Sequence, residues 1–252
     1  MHRCLVARDA WSSDSVQITE EESRHLFHVL RARSGTVVGV FDGFGRTAEA
    51  VVGETREILT LVPGSTIQHT RPVSPVLFLS LLKPARMELA IEKATELGAA
   101  VITPVIAERC VARVSAKQLT DKMARWERLV EAAAKQCDTA WLPCVDAPVK
   151  ISAVCDLIPN MAWAGVGALN EDGLPLGLAL RDILPCAAPS GDASSQLGIV
   201  IGPEGDFTDA EVSQLMAAGA RPVSLGPRVL RAETAAIYSL SVMTSEIENA
   251  HV

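Results

Sequence analysis

The first 70 residues alternate between apolar and polar positions over short runs rich in β-branched side chains, which predicts a small β-rich domain. The runs predicted as strands are residues 36–41, 47–52 and 58–62. Asp42-Gly43-Phe44-Gly45 predicts a hairpin turn between the first two strands. A capping box at residues 19–22 predicts that a helix begins there and continues to about Arg33.

After a proline-containing linker at residues 71–75, the pattern changes to continuous apolar runs separated by segments with helical periodicity. The predicted strands are residues 76–82, 101–106, 161–169, 197–201 and 223–225. The predicted helices are residues 86–97, 115–137, 208–218 and 233–247. Continuously apolar strands between helices indicate a parallel sheet covered on both faces. The sequence therefore predicts two domains, residues 1–71 and residues 72–252, of which the second is α/β.

Composition narrows the function classes. The chain has 252 residues, of which 48% are hydrophobic, and a formal net charge of −7. Its apolar content excludes a disordered chain. No apolar run approaches the roughly 18–20 residues of a membrane span, so we expect no membrane partner. The N-terminus lacks the apolar core of a signal peptide, which predicts a cytoplasmic protein.

The charge is unevenly distributed along the chain. Residues 83–135 hold 10 basic and 7 acidic side chains, whereas residues 136–252 hold 5 basic and 14 acidic ones. Arginine supplies 17 of the 23 basic side chains, and its guanidinium suits bidentate contact with phosphate. A local basic face is enough for nucleic-acid binding in an acidic protein. Genome composition explains the arginine enrichment equally well at this point.

Neither a metal site nor a disulfide framework is indicated by the cysteines and histidines. The six cysteines, at positions 4, 110, 137, 144, 155 and 186, show no C-x-x-C spacing, and we expect free thiols. His25 and His28 have a spacing that suits a metal, but no thiol or carboxylate cluster completes the site. We therefore expect no metal.

Two glycine-containing segments each follow a predicted strand and precede a predicted helix, where parallel sheets commonly bind ligands. One is residues 201–208, in which Gly202 and Gly205 allow a ligand to approach the backbone closely. The other is residues 225–235, predicted to bury Val229 and Leu230 while it presents arginines to a ligand. An ordinary strand–helix turn and an ordinary helix entry remain the alternatives.

A third candidate segment places Lys83 and Arg86 where a strand ends and a helix begins, a position at which anions dock. Later in that helix, Lys93 and Glu96 are three residues apart and suit a surface ion pair equally well. A fourth segment, residues 131–138, is weak by itself.

Together these segments resemble the SPOUT superfamily of knotted methyltransferases. The resemblance rests on Gly202-Pro203-Glu204-Gly205 and on residues 225–234. Upstream matches are Lys93-Ala94-Thr95-Glu96-Leu97-Gly98, Glu108-Arg109-Cys110, Glu131-Ala132-Ala133 with Gln136, and His25-Leu26 with Val29-Leu30-Arg31. In this order, over nearly the whole chain, they are similar to the bacterial 16S ribosomal RNA uridine-N3 methyltransferase family.

The resemblance implies a PUA-like RNA-binding β-barrel at residues 1–71 and a methyltransferase domain at residues 72–252. The latter would be a trefoil-knotted parallel sheet covered by helices. It also implies S-adenosylmethionine as cofactor, a homodimer, and 16S rRNA or the small ribosomal subunit as partner. The implied catalytic residues are Arg231, Glu204 and Glu233. The implied cofactor-binding residues are Ile201, Gly202, Pro203, Glu204, Gly205, Leu225, Gly226, Val229, Leu230, Thr234 and Ala235. The implied substrate-binding residues are Arg31, Arg33, Lys83, Arg86 and Gln136.

The sequence departs from the family pattern at two positions. Asp206 stands where the family usually has glycine, and Thr139 stands where it usually has arginine. The region around Leu169-Asn170-Glu171 matches poorly, so no cofactor contact is assigned there. The alternatives are a related enzyme that methylates a ribose 2′-oxygen of another RNA, and a non-catalytic RNA-binding assembly factor.

Overall fold

A computed structural model describes residues 1–167, 173–181, 183–184 and 196–250. The poorly matching region at Leu169-Asn170-Glu171 and the last two residues of the predicted strand at residues 161–169 therefore lie outside the described residues. The chain forms two compact units. The first unit is Met1–Arg71 with Glu131–Leu142, and the second is Pro72–Val130 with Pro143–Val252.

The first unit is a six-stranded sheet in the order β1-β3-β4-β5-β2, with β6 paired to β4. The strands are β1 Arg3–Leu5, β2 Ser15–Gln17, β3 Val37–Phe41, β4 Arg46–Val52, β5 Ile58–Leu61 and β6 Ile67–Gln68. The three predicted strands are confirmed as β3, β4 and β5. The short strands β1, β2 and β6 have two or three residues each, too few for alternation to be recognised.

The predicted N-terminal helix is shorter than expected. The helix α1, Glu20–Arg24, begins at Thr19, whose hydroxyl accepts from the Glu22 N–H as predicted. One π-helical stretch, His25–Val29, follows it, and the backbone at Arg31 turns left-handed with φ 55°. A left-handed residue cannot continue a right-handed helix, so the helical segment stops before Arg33.

Residues 131–142, which the sequence division groups with residues 72–252, pack within the first unit. The buried Arg3 donates from Nη1 to the Thr139 carbonyl at 2.8 Å and pairs with Asp138 at 2.9 Å. Lys135 forms an ion pair with the buried Glu22. These polar contacts explain why a segment distant in sequence belongs to the β-rich unit.

The second unit is an eight-stranded parallel sheet in the order β10-β8-β7-β13-β11-β14-β12, with β9 paired to β8. The strands are β7 Pro75–Ser80, β8 Val101–Ile106, β9 Cys144–Val145, β10 Val149–Lys150, β11 Trp163–Gly167, β12 Leu174–Pro175, β13 Leu197–Ile201 and β14 Arg221–Ser224. The prediction of a parallel sheet is confirmed, and the five predicted strands correspond to β7, β8, β11, β13 and β14.

Helices alternate with these strands. They are α2 Pro84–Glu96, α3 Ala116–Cys137, α4 Ile151–Leu157, α5 Leu176–Arg181, α6 Asp209–Ala217 and α7 Ala232–Ala250. Gly98 follows α2 with φ 75°, as its predicted role at the helix C-terminus requires. Lys93 pairs with Glu96 at 2.7 Å and with Glu92 at 2.8 Å, so its ammonium group forms ion pairs on the surface of α2. The expected knot stays a prediction, because the described residues leave out three internal stretches, 168–172, 182 and 185–195.

The register of the sheet places the candidate segments at one edge. Ile201 of β13 lies beside Leu79 of β7 on one side and Gly167 of β11 on the other, and Gly167 lies beside Val223 of β14. Because these strands are parallel, the segments that follow β7, β13 and β14 all leave the sheet at its carboxyl edge. No helix in the described part of the chain is long and apolar enough to cross a membrane.

Candidate active site

The first element of the site is the β13 loop, residues 202–208. Its Gly202 is buried, and a Cβ there would lie 3.0 Å from Asp206 Oδ1 and 3.3 Å from the Phe207 ring. Asp206 is left-handed, with φ 58°, and its Oδ1 accepts from the Phe207 N–H at 2.8 Å. A left-handed position favours glycine but tolerates aspartate, which explains how Asp206 replaces the usual glycine without disrupting the turn.

Two side chains outside the motif fix the β13 loop. Arg109 donates from Nη1 to the carbonyls of Gly205 at 3.1 Å and Phe207 at 3.4 Å. The buried Glu211 accepts from the N–H groups of Glu108 at 2.8 Å and Thr208 at 2.9 Å. The predicted capping box at Thr208 and Glu211 is confirmed. The second bond of Glu211, to the segment after β8, was missed because nothing local in the sequence points to it.

Arg86 connects three elements of the site. It lies in the first turn of α2, and its Nη1 is 3.3 Å from Glu204 Oε1 in the β13 loop. Its Nε is 3.6 Å from Glu233 Oε1 in the first turn of α7. The Glu233 side chain is 9% exposed, and its Oε2 is buried without a hydrogen-bond partner among the described residues. The predicted catalytic carboxylates, Glu204 and Glu233, are therefore brought together around one guanidinium.

The β14 loop, residues 225–231, is open to solvent. Gly226 has φ 100°, and a Cβ there would meet nothing within 4 Å. Leu230 is half-buried, but Val229 is 78% exposed, so the expectation that this loop buries Val229 is wrong for the chain by itself. Arg228 and Arg231, on either side of the Val-Leu pair, are exposed as well.

The starts of the β13 loop and the β14 loop lie close to the same glycine. A Cβ on Gly167 would lie 3.1 Å from Ile201 Cδ1 and 3.2 Å from Leu225 Cδ1. Ala235 donates its N–H to the Arg231 carbonyl at 2.8 Å and so begins α7, with Thr234 exposed beside it. The predicted cofactor-binding residues of the second unit thus occupy the carboxyl ends of β13 and β14 and the start of α7.

The predicted substrate-binding residues belong to different units. Lys83 is exposed at the N-cap of α2, one turn from Arg86, in the second unit. Arg31, Arg33 and Gln136 are all exposed and belong to the first unit. Thr139 lies in the first unit too, where its hydroxyl accepts from the Trp141 N–H at 3.2 Å. At the position where the family usually has arginine, the Thr139 side chain therefore stabilises a local turn.

The expectations about metals and disulfides concern the described residues only. Within them, no group of three or more metal-ligating side chains is found, His25 and His28 included. No disulfide joins the cysteines of that part of the chain, and Cys186 lies outside it.

Family comparisons agree with this geometry. A family model described as an RNA methyltransferase domain matches residues 69–244, and one described as an RNA methyltransferase PUA domain matches residues 18–63. These matches define the class of protein as an RNA methyltransferase with a PUA-like domain, and solved neighbours share its SPOUT-type α/β fold.

Relatives of known name narrow the class. The chain is 34% identical over 229 residues to ribosomal RNA small subunit methyltransferase E of Mycobacterium tuberculosis, covering 88% of this chain and 83% of that one. It is 30% identical over 249 residues to the Bacillus subtilis protein of the same name, covering 97% and 95%. The chain belongs to the ribosomal RNA small subunit methyltransferase E family.

One solved structure shows the family enzyme with a ligand. The methyltransferase E of Neisseria gonorrhoeae, bound to S-adenosyl methionine, superposes with a TM-score of 0.81 at 27% identity, covering 97% of each chain. A Legionella pneumophila methyltransferase, also in complex with this cofactor, gives a TM-score of 0.82 at 28% identity and covers 97% of each chain.

Proposed function

We propose that this chain transfers the methyl group of S-adenosylmethionine to N3 of a uridine in the 16S rRNA of the small ribosomal subunit. One observation carries the proposal: Arg86 holds Glu204 and the buried Glu233 together where the β13 and β14 loops leave the sheet. This arrangement supplies both backbone groups for a cofactor and carboxylates for a proton. The family membership of the chain supports the same reaction.

The residues present fit the cofactor. Gly202 has no side chain of its own between the backbone and the end of β13, and Gly226 leaves open space where a Cβ would stand. Ile201 and Leu225 supply apolar contacts beside these glycines, and the Glu204 carboxylate suits a positively charged group. We assign the β13 loop, the β14 loop and the start of α7, with Thr234 and Ala235, to cofactor binding. When bound, S-adenosylmethionine supplies an electrophilic methyl group on a positively charged sulfur.

The reaction needs a proton acceptor, because the uracil imide nitrogen must lose its proton before it attacks a methyl group. We assign this role to Glu233, whose buried Oε2 has no hydrogen-bond partner among the described residues and so is available as an acceptor. Glu204 is the second candidate. The N3–H bond breaks toward the carboxylate, N3 bonds to the methyl carbon, and the carbon–sulfur bond gives its electron pair to sulfur.

Deprotonation spreads negative charge over the uracil oxygens. The Arg231 side chain is exposed immediately before α7 and forms no ion pair within the described residues. We propose that Arg231 donates to a uracil oxygen as N3 loses its proton, which stabilises that charge in the transition state. Positioning by the surrounding loops supplies much of the remaining rate enhancement.

We also propose that the enzyme acts as a homodimer. The 78% exposed Val229 on the β14 loop and the 44% exposed Tyr238 on α7 support this, because both are large side chains beside the site. Light scattering on the purified protein tests it: a mass of two chains is expected, and a single-chain mass at micromolar concentration contradicts it.

The experiment that tests the function begins with calorimetric titration of S-adenosylmethionine and S-adenosylhomocysteine. Micromolar binding that is lost in Gly202→Trp places the cofactor at the β13 loop. Single-turnover methylation then separates the roles: Arg231→Ala and Glu233→Gln are expected to keep cofactor affinity while the methylation rate falls about 100-fold. An intact rate in both variants would contradict the assignments. A folded protein that binds neither ligand would favour a non-catalytic assembly factor.

A further inference from the structure

An unusual arrangement of arginines and aromatic rings lies in the first unit, apart from the residues assigned to methyl transfer. Three guanidinium groups each cover one ring: Arg8 covers Phe44 at 4.4 Å, Arg46 covers Trp11 at 5.2 Å, and Arg71 covers Trp141 at 5.3 Å. We call these six residues the Arg–aromatic face. The whole chain has only ten aromatic side chains (5 Phe, 4 Trp and 1 Tyr), so three of them are concentrated here.

Backbone pairing joins the members of the face. Phe44 and Trp141 form an isolated antiparallel bridge, and Gly45 packs so closely that a Cβ there would lie 2.5 Å from the Trp141 ring. Arg8 belongs to a 3-10 turn, Arg8–Ala10, directly before Trp11, while Phe44 and Arg46 lie two residues apart at the β3–β4 turn. Each of these two segments therefore contributes one arginine and one ring, and each arginine covers the ring of the other segment.

The charges of the face are available to a ligand. Within the described residues, none of the three arginines forms an ion pair with a carboxylate. The nearby Asp42 is buried, and its Oδ1 already accepts from the N–H groups of Phe44 at 2.7 Å and Arg46 at 3.0 Å. Asp9, on the 3-10 turn beside Arg8, is acidic and exposed.

The rings are not all explained by core packing. Phe44 is 50% exposed, whereas Phe41 of the same unit is fully buried, so Phe44 is not a core residue. Both aromatic rings and arginine guanidinium planes are groups on which an unpaired nucleobase can stack. Arginines already ordered in this way lose less side-chain entropy when they bind a phosphate or a base.

We propose that the Arg–aromatic face binds unpaired RNA, with bases stacked on Phe44 and on the guanidinium planes, and with phosphates contacted by Arg8 and Arg71. Unpaired RNA is favoured over duplex because stacking needs bases that are free of a partner strand. The inference rests on the proposed function, since it assigns to the first unit a part of the ribosomal RNA that carries the target uridine.

Fluorescence anisotropy of a short labelled single-stranded RNA, measured with the full-length protein, tests this directly. We expect Phe44→Leu, which keeps an apolar side chain but removes the ring, to weaken binding about tenfold. The double variant Arg8→Gln with Arg71→Gln is expected to reduce the slope of log affinity against log salt by about 1.4, since each phosphate contact on a single strand contributes about 0.7.

The chain offers a matched control in Arg56, which covers Phe27 at 5.6 Å outside the face. Arg56→Gln removes the same charge from a similar pair and is expected to leave RNA affinity and the salt slope unchanged. Thermal unfolding of every variant confirms that the fold is intact. Duplex RNA of the same sequence is expected to bind at least tenfold more weakly than the single strand.

Several results would overturn the proposal. They are undetectable binding of single-stranded RNA by the unaltered protein, equal effects of the Arg56 and Arg8–Arg71 changes, and equal affinity for duplex RNA. Variants that lose affinity for the assembled small subunit but bind free RNA normally would assign the face to a ribosomal protein instead. Cofactor titration and methylation, run in parallel, separate this outcome from failure of the proposed function, because the face can bind RNA whether or not the methyl transfer occurs.

Discussion

The guanidinium of Arg86 is the side chain whose removal should reveal most about the site. In Arg86→Gln, the contacts to Glu204 at 3.3 Å and to Glu233 at 3.6 Å are lost together. Glu204 is a quarter exposed, so water replaces its lost partner at little cost. Glu233 is 9% exposed and already has one buried oxygen without a partner. The loss of Arg86 should therefore destabilise the protein mainly by leaving the Glu233 carboxylate buried without its partner.

The expected loss of stability follows from this burial. Breaking a fully buried ion pair costs about 3–5 kcal/mol, whereas an exposed pair contributes about 0–1 kcal/mol. Arg86 is one-third exposed, and a contact of 3.6 Å is longer than a charge-assisted hydrogen bond, so the value lies between these limits. We expect a loss of about 1–2 kcal/mol, which lowers the unfolding midpoint of a chain of this size by about 2–8 °C. Methylation should fall as well, because the two carboxylates are no longer held together.

Thermal unfolding followed by circular dichroism measures the change, with Arg125→Gln as the matched control. Arg125 pairs with Glu88 at 2.6 Å on the surface of the same unit, so its removal should shift the midpoint much less. The double variant Arg86→Gln with Glu233→Gln removes the stranded charge and should recover most of the loss. Equal shifts for Arg86→Gln and Arg125→Gln, or no recovery in the double variant, would refute this reasoning.

Three further predictions concern the loops and the core. Both Asp206→Gly and Asp206→Ala lose the bond to the Phe207 N–H, but only glycine favours the left-handed backbone at this position, so Asp206→Gly should leave stability within about 0.5 kcal/mol and Asp206→Ala should cost about 1 kcal/mol by chemical denaturation. Thr208→Val removes the hydroxyl of the capping box and should cost about 1 kcal/mol, and Thr208→Ser, which retains it, serves as the control. Burial raises the pKa of the Cys4 thiol to about 12, from an ordinary value of 9.0, so the folded protein retains a proton that the unfolded chain loses. Folding stability should therefore be full below pH 9 and fall by about 1.4 kcal/mol per pH unit above it, and a Cys4→Ala variant should lose this slope in denaturant titrations at pH 8 to 10.5.

The sheet of the second unit was predictable because its strands are long and continuously apolar, as in Leu197–Ile201. The elements that were missed are short: β9, β10 and β12 have two residues each, and no periodicity can be read from so few positions. The end of the N-terminal helix was wrong because Arg31 adopts a left-handed backbone, which only the folded context requires.

The site, too, was predictable where its residues form contiguous motifs, and unpredictable where the contacts join residues distant in sequence. The two glycine-containing loops and the capping box at Thr208 are contiguous motifs, so the sequence contained them. The contact of Arg86 with both carboxylates joins residues 118 positions apart in one case, and the contact of Arg109 with Gly205 spans 96. Such pairings depend on strand order, which a single sequence does not encode locally. The exposure of Val229 was also beyond reach, because polarity alone gives no measure of how far a loop projects.

We expect this chain to place a methyl group on N3 of a uridine in small-subunit rRNA. The most direct test incubates the purified protein with isotopically labelled S-adenosylmethionine and small ribosomal subunits that lack the modification, and then analyses the digested rRNA by nucleoside mass spectrometry. Labelled 3-methyluridine is expected from the unaltered protein and is expected to be absent with Gly202→Trp. A label found in a 2′-O-methylated nucleoside, or no labelled nucleoside from protein that binds the cofactor, would contradict it.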